Sequence, residues 1–229
     1  MPAREDAVDL FVDLVSRADR DIHLPAAALA IARIAYPDLD MDTWLREVAG
    51  LRRDARLAAE RHPRDPVAAV LNVVFEDYAF DGDRSNYYDP RNSFLNDVLE
   101  RRRGIPITLA VVVLEAAEGG GVPMCGVGFP GHFLVCHPPT ERYFDVFRRG
   151  IALERPGLLE LLRRQGLGPD AWRDDFLAPA GRTQMLARML NNLRRHYSQV
   201  RNENALATVV AMSHALEVAR ELAADHLVQ

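Results

Sequence analysis

Ten residues, Ile105 to Leu114, run without a charge and open on Gly104-Ile105-Pro106. Proline suits the first position of a helix, where its missing N–H would be unpaired anyway and its fixed φ is already helical. From Ile107 to Ala117 the segment carries a single charge, Glu115, and Gly119-Gly120-Gly121 ends it. A helix that is apolar on nearly every side has to lie inside its domain, so the flanking chain must supply layers around it.

The flanks divide cleanly. Val8, Leu10-Phe11 and Leu14-Val15 recur at three and four residues. Pro25 opens a second helix through Ala35, Thr43 caps a third through Arg61, and 66–78, apolar on most sides, is a fourth and buried one. Asp81 to Pro90 is a turn-rich loop, after which Asn92 or Ser93 caps a short helix ending near Arg102. Beyond the three glycines the period changes to two. Residues 124–128, 132–137 and 142–147 read as strands of an antiparallel meander. Helix returns at 153–165 and, after a Pro/Asp/Gly linker, from about 182 onward. The expected fold is α+β: a small antiparallel sheet on a buried helix, with N-terminal and C-terminal helices. The expected division is a domain over 1–175 and an appended helical pair over 176–229.

Composition excludes several classes. With 229 residues, 48% hydrophobic and 27% charged, the chain has enough apolar surface for a proper core. No Lys occurs, so all 28 basic residues are Arg, which removes Schiff-base lysine chemistry and a Walker-type phosphate lysine. Arg101-Arg102-Arg103 is the one dense basic run. With a net charge of −5 and a pI near 5.8 it reads as a solvated helix end, not a nucleic-acid surface. The longest apolar stretch is half a membrane span, and no apolar signal region follows the first residues, so a cytoplasmic protein without a membrane partner is expected. Cys125 and Cys136, without CxxC spacing, fit a reducing compartment.

The chemistry gathers between 92 and 147. In His132-Phe133-Leu134-Val135-Cys136 the alternation puts 132, 134 and 136 on one strand face, and a tight hairpin at 138–141 would set Asp145 roughly opposite His132. A His held by a carboxylate is the general-base half of a catalytic triad. Its alternative is a structural pair that only stabilises the sheet.

Four stretches carry a wider resemblance: Asn92-Ser93-Phe94-Leu95-Asn96-Asp97-Val98-Leu99, Arg101 through Leu109, Gly126 through Val135, and Phe144-Asp145-Val146-Phe147. Together they resemble the SirB1 family, a bacterial group of transglutaminase-like proteins, over roughly 5–175. The resemblance implies a papain-like core with the catalytic His at His132 and the Asp at Asp145. It also implies a nucleophilic Cys in a Gly-x-Cys at the start of the central helix, and there the chain has Gly104-Ile105-Pro106. Proline offers neither a thiol nor an N–H for an oxyanion, a donor worth about 3 kcal/mol in characterised enzymes.

Thr108 is the weak substitute, since it points elsewhere on the helix and a helical Thr commonly bonds a preceding carbonyl. Cys136 lies about 13 Å along the strand from His132, too far for direct contact. Cys125, His132, Cys136 and His137 match no standard zinc spacing, so neither metal nor cofactor is expected.

The expected protein is therefore a binding or regulatory module whose cleft, with His132, Asp145, Asn96 and Pro106, holds a ligand or peptide. Its alternative is an acyl transferase, amidase or peptidase using the dyad on water. Asn191-Asn192-Leu193, Tyr197 and Ala205-Leu206 resemble one tetratricopeptide unit, which caps the main domain or offers a surface to a protein, peptide or second copy.

Overall fold

The computed structural model describes residues 2–225; residue 1 and residues 226–229 lie outside that description, as do the side chains of 2–5 and 222–225, Leu222 among them. Four helices come first: α1 (Pro2–Val15), α2 (Leu24–Ala32), α3 (Met41–Arg61) and α4 (Pro66–Asn72). A two-residue strand β1 (Asp81–Gly82) pairs in parallel with β2 (Arg103–Gly104), bracketing the short helix α5 (Leu95–Arg101). The apolar segment is α6 (Pro106–Gly119), with Pro106 at its first position and every residue from 106 to 113 buried. Strands β3 (Cys125–Val127), β4 (Leu134–His137), β5 (Arg142–Asp145) and β6 (Ile151–Leu153) follow, then α7 (Arg155–Arg164), β7 (Pro179–Ala180), α8 (Arg182–Gln199) and α9 (Glu203–Asp225).

The sheet runs β6-β5-β4-β3-β7, antiparallel at every pairing. It is covered on both faces. Val135 and Phe144 join the main core with α6, while Leu134 and Cys136 turn to a second cluster under α7 with Phe129, Leu158 and Leu162. That is the period-two alternation expected of a strand, here with two apolar destinations.

Alpha6 is set against α3 at close range. A Cβ added at Gly119 would lie 2.4 Å from the carbonyl oxygen of Arg52, so only glycine lets the two backbones meet there. The lone charge of α6 is answered across the same contact: Arg52 Nη1 donates to Glu115 at 2.7 Å and its other arm reaches Glu118 at 3.1 Å. The N-terminus of α8 is closed by a residue from the far end of the chain. Asp19 Oδ1 accepts from the Thr183 N–H and hydroxyl at 2.8 and 2.7 Å, and Oδ2 from the Arg182 N–H at 2.9 Å.

Several local expectations change. Asp40, not Thr43, caps α3, accepting from the Thr43 N–H. The fourth helix stops at Asn72 and continues as a π turn over Val73–Asp77. Neither Asn92 nor Ser93 caps α5. Phe94 holds that position without a side-chain bond, because Asn92 is committed to the Asn86 carbonyl and to Arg101. The arginine run is no solvated end: Arg101 pairs with Asp83, Arg103 with Asp81, and Arg102 lies 4.9 Å from the Phe80 ring. The meander gains β6 and β7, the latter formed by Pro179–Ala180 within the expected linker. Among the described residues no helix is long and apolar enough to cross a membrane.

Two stability predictions follow from these contacts. Burial raises the Glu115 carboxyl above its usual range, with Arg52 opposing. In Arg52→Met that opposition is lost, the charge is stranded, and about 3 kcal/mol should go near neutral pH. A raised native pKa carries stability that is present below the unfolded value and lost as pH rises through the native one, so the loss should shrink on acidification in urea titrations.

Asp19 runs the other way. Burial works against it, but its bonds to Thr183 and Arg182 win and hold the carboxyl below its usual range. Its contribution is present above the unfolded value and fades as pH falls through the native one. Asp19→Ala should cost about 1–2 kcal/mol, the scale of a lost helix cap, and speed amide exchange in the first turn of α8.

Candidate functional site

Between β3 and β4 the chain makes a tight turn: Phe129 N–H bonds Val127 O, His132 N–H bonds Phe129 O, and Gly131 sits at φ +67°. A side chain at such a φ is strained, so glycine is the natural residue there. His132 is thus in the turn and not on the strand. The face it was expected to share with 134 and 136 does not include it. Val135 registers with Phe144, which sets Asp145 level with Leu134 instead of His132.

The pair forms all the same. The turn folds His132 back so that Nε2 lies 2.8 Å from Asp145 Oδ1. Asp145 is fully buried, and Oδ1 also accepts the Phe147 N–H at 3.1 Å, while Oδ2 has no hydrogen-bond partner. A carboxylate facing Nε2 puts the ring proton there and leaves Nδ1 with its lone pair. Nδ1 has no protein partner among the described residues, and His132 lines an open cleft of about 550 Å3.

Each wall of the cleft comes from a different part of the fold. Tyr87, Tyr88 and Ser93 stand on one side, from the loop before α5, and Ile105 at the mouth of α6 forms the floor. Phe147 packs edge-on to the His132 ring, with centroids 6.4 Å apart. Alpha8 also lines the cleft, through Arg188, Asn192, Arg195 and His196. Those positions recur at helical spacing, while Met185, Met189 and Leu193 in a flanking stripe enter the core.

The remaining expected residues do not meet there. Pro106 is buried at the helix start, and Ile105 lines the cleft in its place. Asn96 is buried with its Oδ1 unpartnered, and it is not among the lining side chains. Thr108 is fully buried: its hydroxyl donates toward Asn92 O at 2.7 Å and Ile105 O at 3.0 Å, and accepts from the Ile105 N–H at 3.2 Å. It ties down the start of α6.

The two cysteines face each other across β3 and β4, away from His132, with Cys136 in the cluster under α7. Burial pushes the Cys125 thiol up to about 11 and raises Cys136 as well, so both are thiols near neutral pH. Among the described residues no three His, Cys, Asp or Glu side chains converge as a metal site.

The core is a small antiparallel sheet on a buried helix, with His132 in the β3–β4 turn paired to Asp145 at the end of β5. Residues 40–191 match the Transglutaminase-like superfamily. The chain is 39% identical over 197 residues to a UPF0162 protein of Xylella fastidiosa, covering 82% of this chain and 70% of that one. It is 30% identical over 204 residues to a UPF0162 protein of Pseudomonas aeruginosa, covering 89% and 70%. A shorter stretch of 81 residues is 38% identical to human F-box only protein 21, covering 34% of this chain and 13% of that protein. No solved structure matches. The chain belongs to the transglutaminase-like superfamily and, with its bacterial relatives, to the UPF0162 group.

The hydrogen bond to Asp145 makes one tautomer of His132 dominant. In wild-type protein the imidazole 15N shifts should report Nε2–H and a bare Nδ1 when the ring is neutral. Asp145→Ala should mix the two tautomers while leaving the amide spectrum of α1–α4 in place.

Proposed function

We propose that this chain is a SirB1-like protein that keeps the transglutaminase fold and the His132–Asp145 dyad but not the cysteine mechanism, and that it works as a ligand- or peptide-binding module. The observation that carries this reading is the chemistry of the cleft. No thiol lines it, Pro106 lacks both thiol and N–H, and the Thr108 hydroxyl is fully engaged. A volume near 550 Å3 suits a small molecule or a few residues of a peptide. The C-terminal helical pair, with its single tetratricopeptide-like unit, would serve this cleft as a wall and a cap, in a cytoplasmic setting. Asn96 and Pro106 would hold its floor from behind, and Thr108 would fix the helix start.

One observation favours the alternative: Nδ1 of His132 has no protein partner among the described residues and the residue lines the cleft, as a general base toward water requires. The two readings separate on turnover. Purified protein is incubated with glutamine-containing peptides and amines, then assayed for ammonia release, amine incorporation and mass change. The binding reading expects no acyl adduct and no turnover above that of His132→Ala, together with shifted His132 resonances on adding N-acetylglutaminamide. Turnover that falls about a hundredfold or more in His132→Ala would establish the hydrolase or transferase instead.

A further inference from the structure

The ligand cleft proposed above carries a charge that the chain as a whole does not. The net charge of the protein is −5. The cleft is lined by four guanidinium groups, Arg148, Arg164, Arg188 and Arg195, against two carboxylates, Asp89 and Asp145. Both carboxylates are already engaged. Asp89 holds Arg91 at 2.6 Å, and Asp145 holds His132. Arg164 in turn reaches Glu160 at 3.4 Å. That leaves Arg148, Arg188 and Arg195, none of which has a carboxylate in ion-pair contact among the described residues.

Arg188 is the most telling of the three. It is half-buried, and its one polar contact is a donation to the His132 carbonyl at 3.4 Å. A guanidinium has five N–H donors in a planar fork, so most of its donors have no protein partner among the described residues. Arg195 lies two helical turns further along the same face of α8. Burial raises the Tyr87 phenol, and Arg188 and Arg195 both pull it back, so the two charges act on one rim. The exposed Tyr88, packed edge-on to Tyr87 at 5.3 Å, completes an aromatic edge beside them.

We infer that the ligand of this cleft is an organic anion with at least two negative charges on carboxylate or phosphate oxygens, held by Arg148, Arg188 and Arg195 within reach of His132. Planar forks match such oxygens in pairs. The aromatic edge would cover the carbon body of the ligand. The inference rests on the reading of the cleft as a ligand site.

Calorimetry with citrate, a polycarboxylate, and pyrophosphate, a phosphoryl anion, tests it on full-length wild-type protein, Arg188→Gln, Arg195→Gln and Arg194→Gln. The last removes the same charge from the same helix outside the cleft. Saturable binding of either probe is expected, weakened by salt, unchanged in Arg194→Gln and reduced about tenfold or more in each of the other two. The probe that binds identifies the anion source. Arg195 is exposed, so Arg195→Gln remains informative if Arg188→Gln fails to fold. Equal weakening in all three variants would mean bulk charge alone and would overturn the inference. Binding of neither anion, with His132 still shifted by the neutral N-acetylglutaminamide, would overturn the inference and leave the binding reading intact. No response to any probe would remove both.

Discussion

The structure depends on keeping one charge alive inside an apolar helix. Alpha6 is buried along almost its whole length, and it can be, because its backbone bonds are internal and its single interior charge, Glu115, meets Arg52 of α3. Gly119 then lets α3 close to backbone contact one turn later. The position of α6 follows from that clasp, and with it the place where its first residues emerge beside β4 and β5. The same helix start decides the chemistry. Proline suits the first turn, and it supplies neither a thiol nor an N–H at that position.

The features set by local rules were readable in the sequence. Alpha6, its proline start and its glycine end follow from composition and capping. The sheet follows from the change of period after 121, and the union of His132 with Asp145 from order and spacing. The route to that union was not readable. A strand alternation starting at 132 places the ring by pleat, whereas Gly131 at positive φ places it by a turn, and the pairing register is off by two residues. Only the tertiary fold shows that both arrangements end in the same contact. The cap of α8 by Asp19 is of the same kind, since it joins residues more than 160 positions apart that no window can connect.

The wall contributed by α8 is different, because a signal for it existed. Arg188, Asn192, Arg195 and Gln199 recur at four, three and four, in a stripe flanking that of Met185, Met189 and Leu193. That is an amphipathic helix with a polar face richer in guanidinium and amide than solvation requires. An appended helical pair over 176–229 would need only its apolar face to dock. In the structure β7 pairs with β3 and α8 packs into the main core, which brings the polar face over His132.

The dyad is a polar contact held by a buried carboxylate. Asp145 is fully buried, with Oδ1 shared between His132 and the Phe147 N–H. A pair whose only task was to hold the sheet would do better as two apolar side chains of similar volume, which commonly match or exceed a buried ion pair in stability. This site instead holds the imidazole with a buried carboxylate, and His132 lines a cleft that four arginines also line. That arrangement is what the proposed ligand-binding reading requires, and it supports that reading over a purely structural pair.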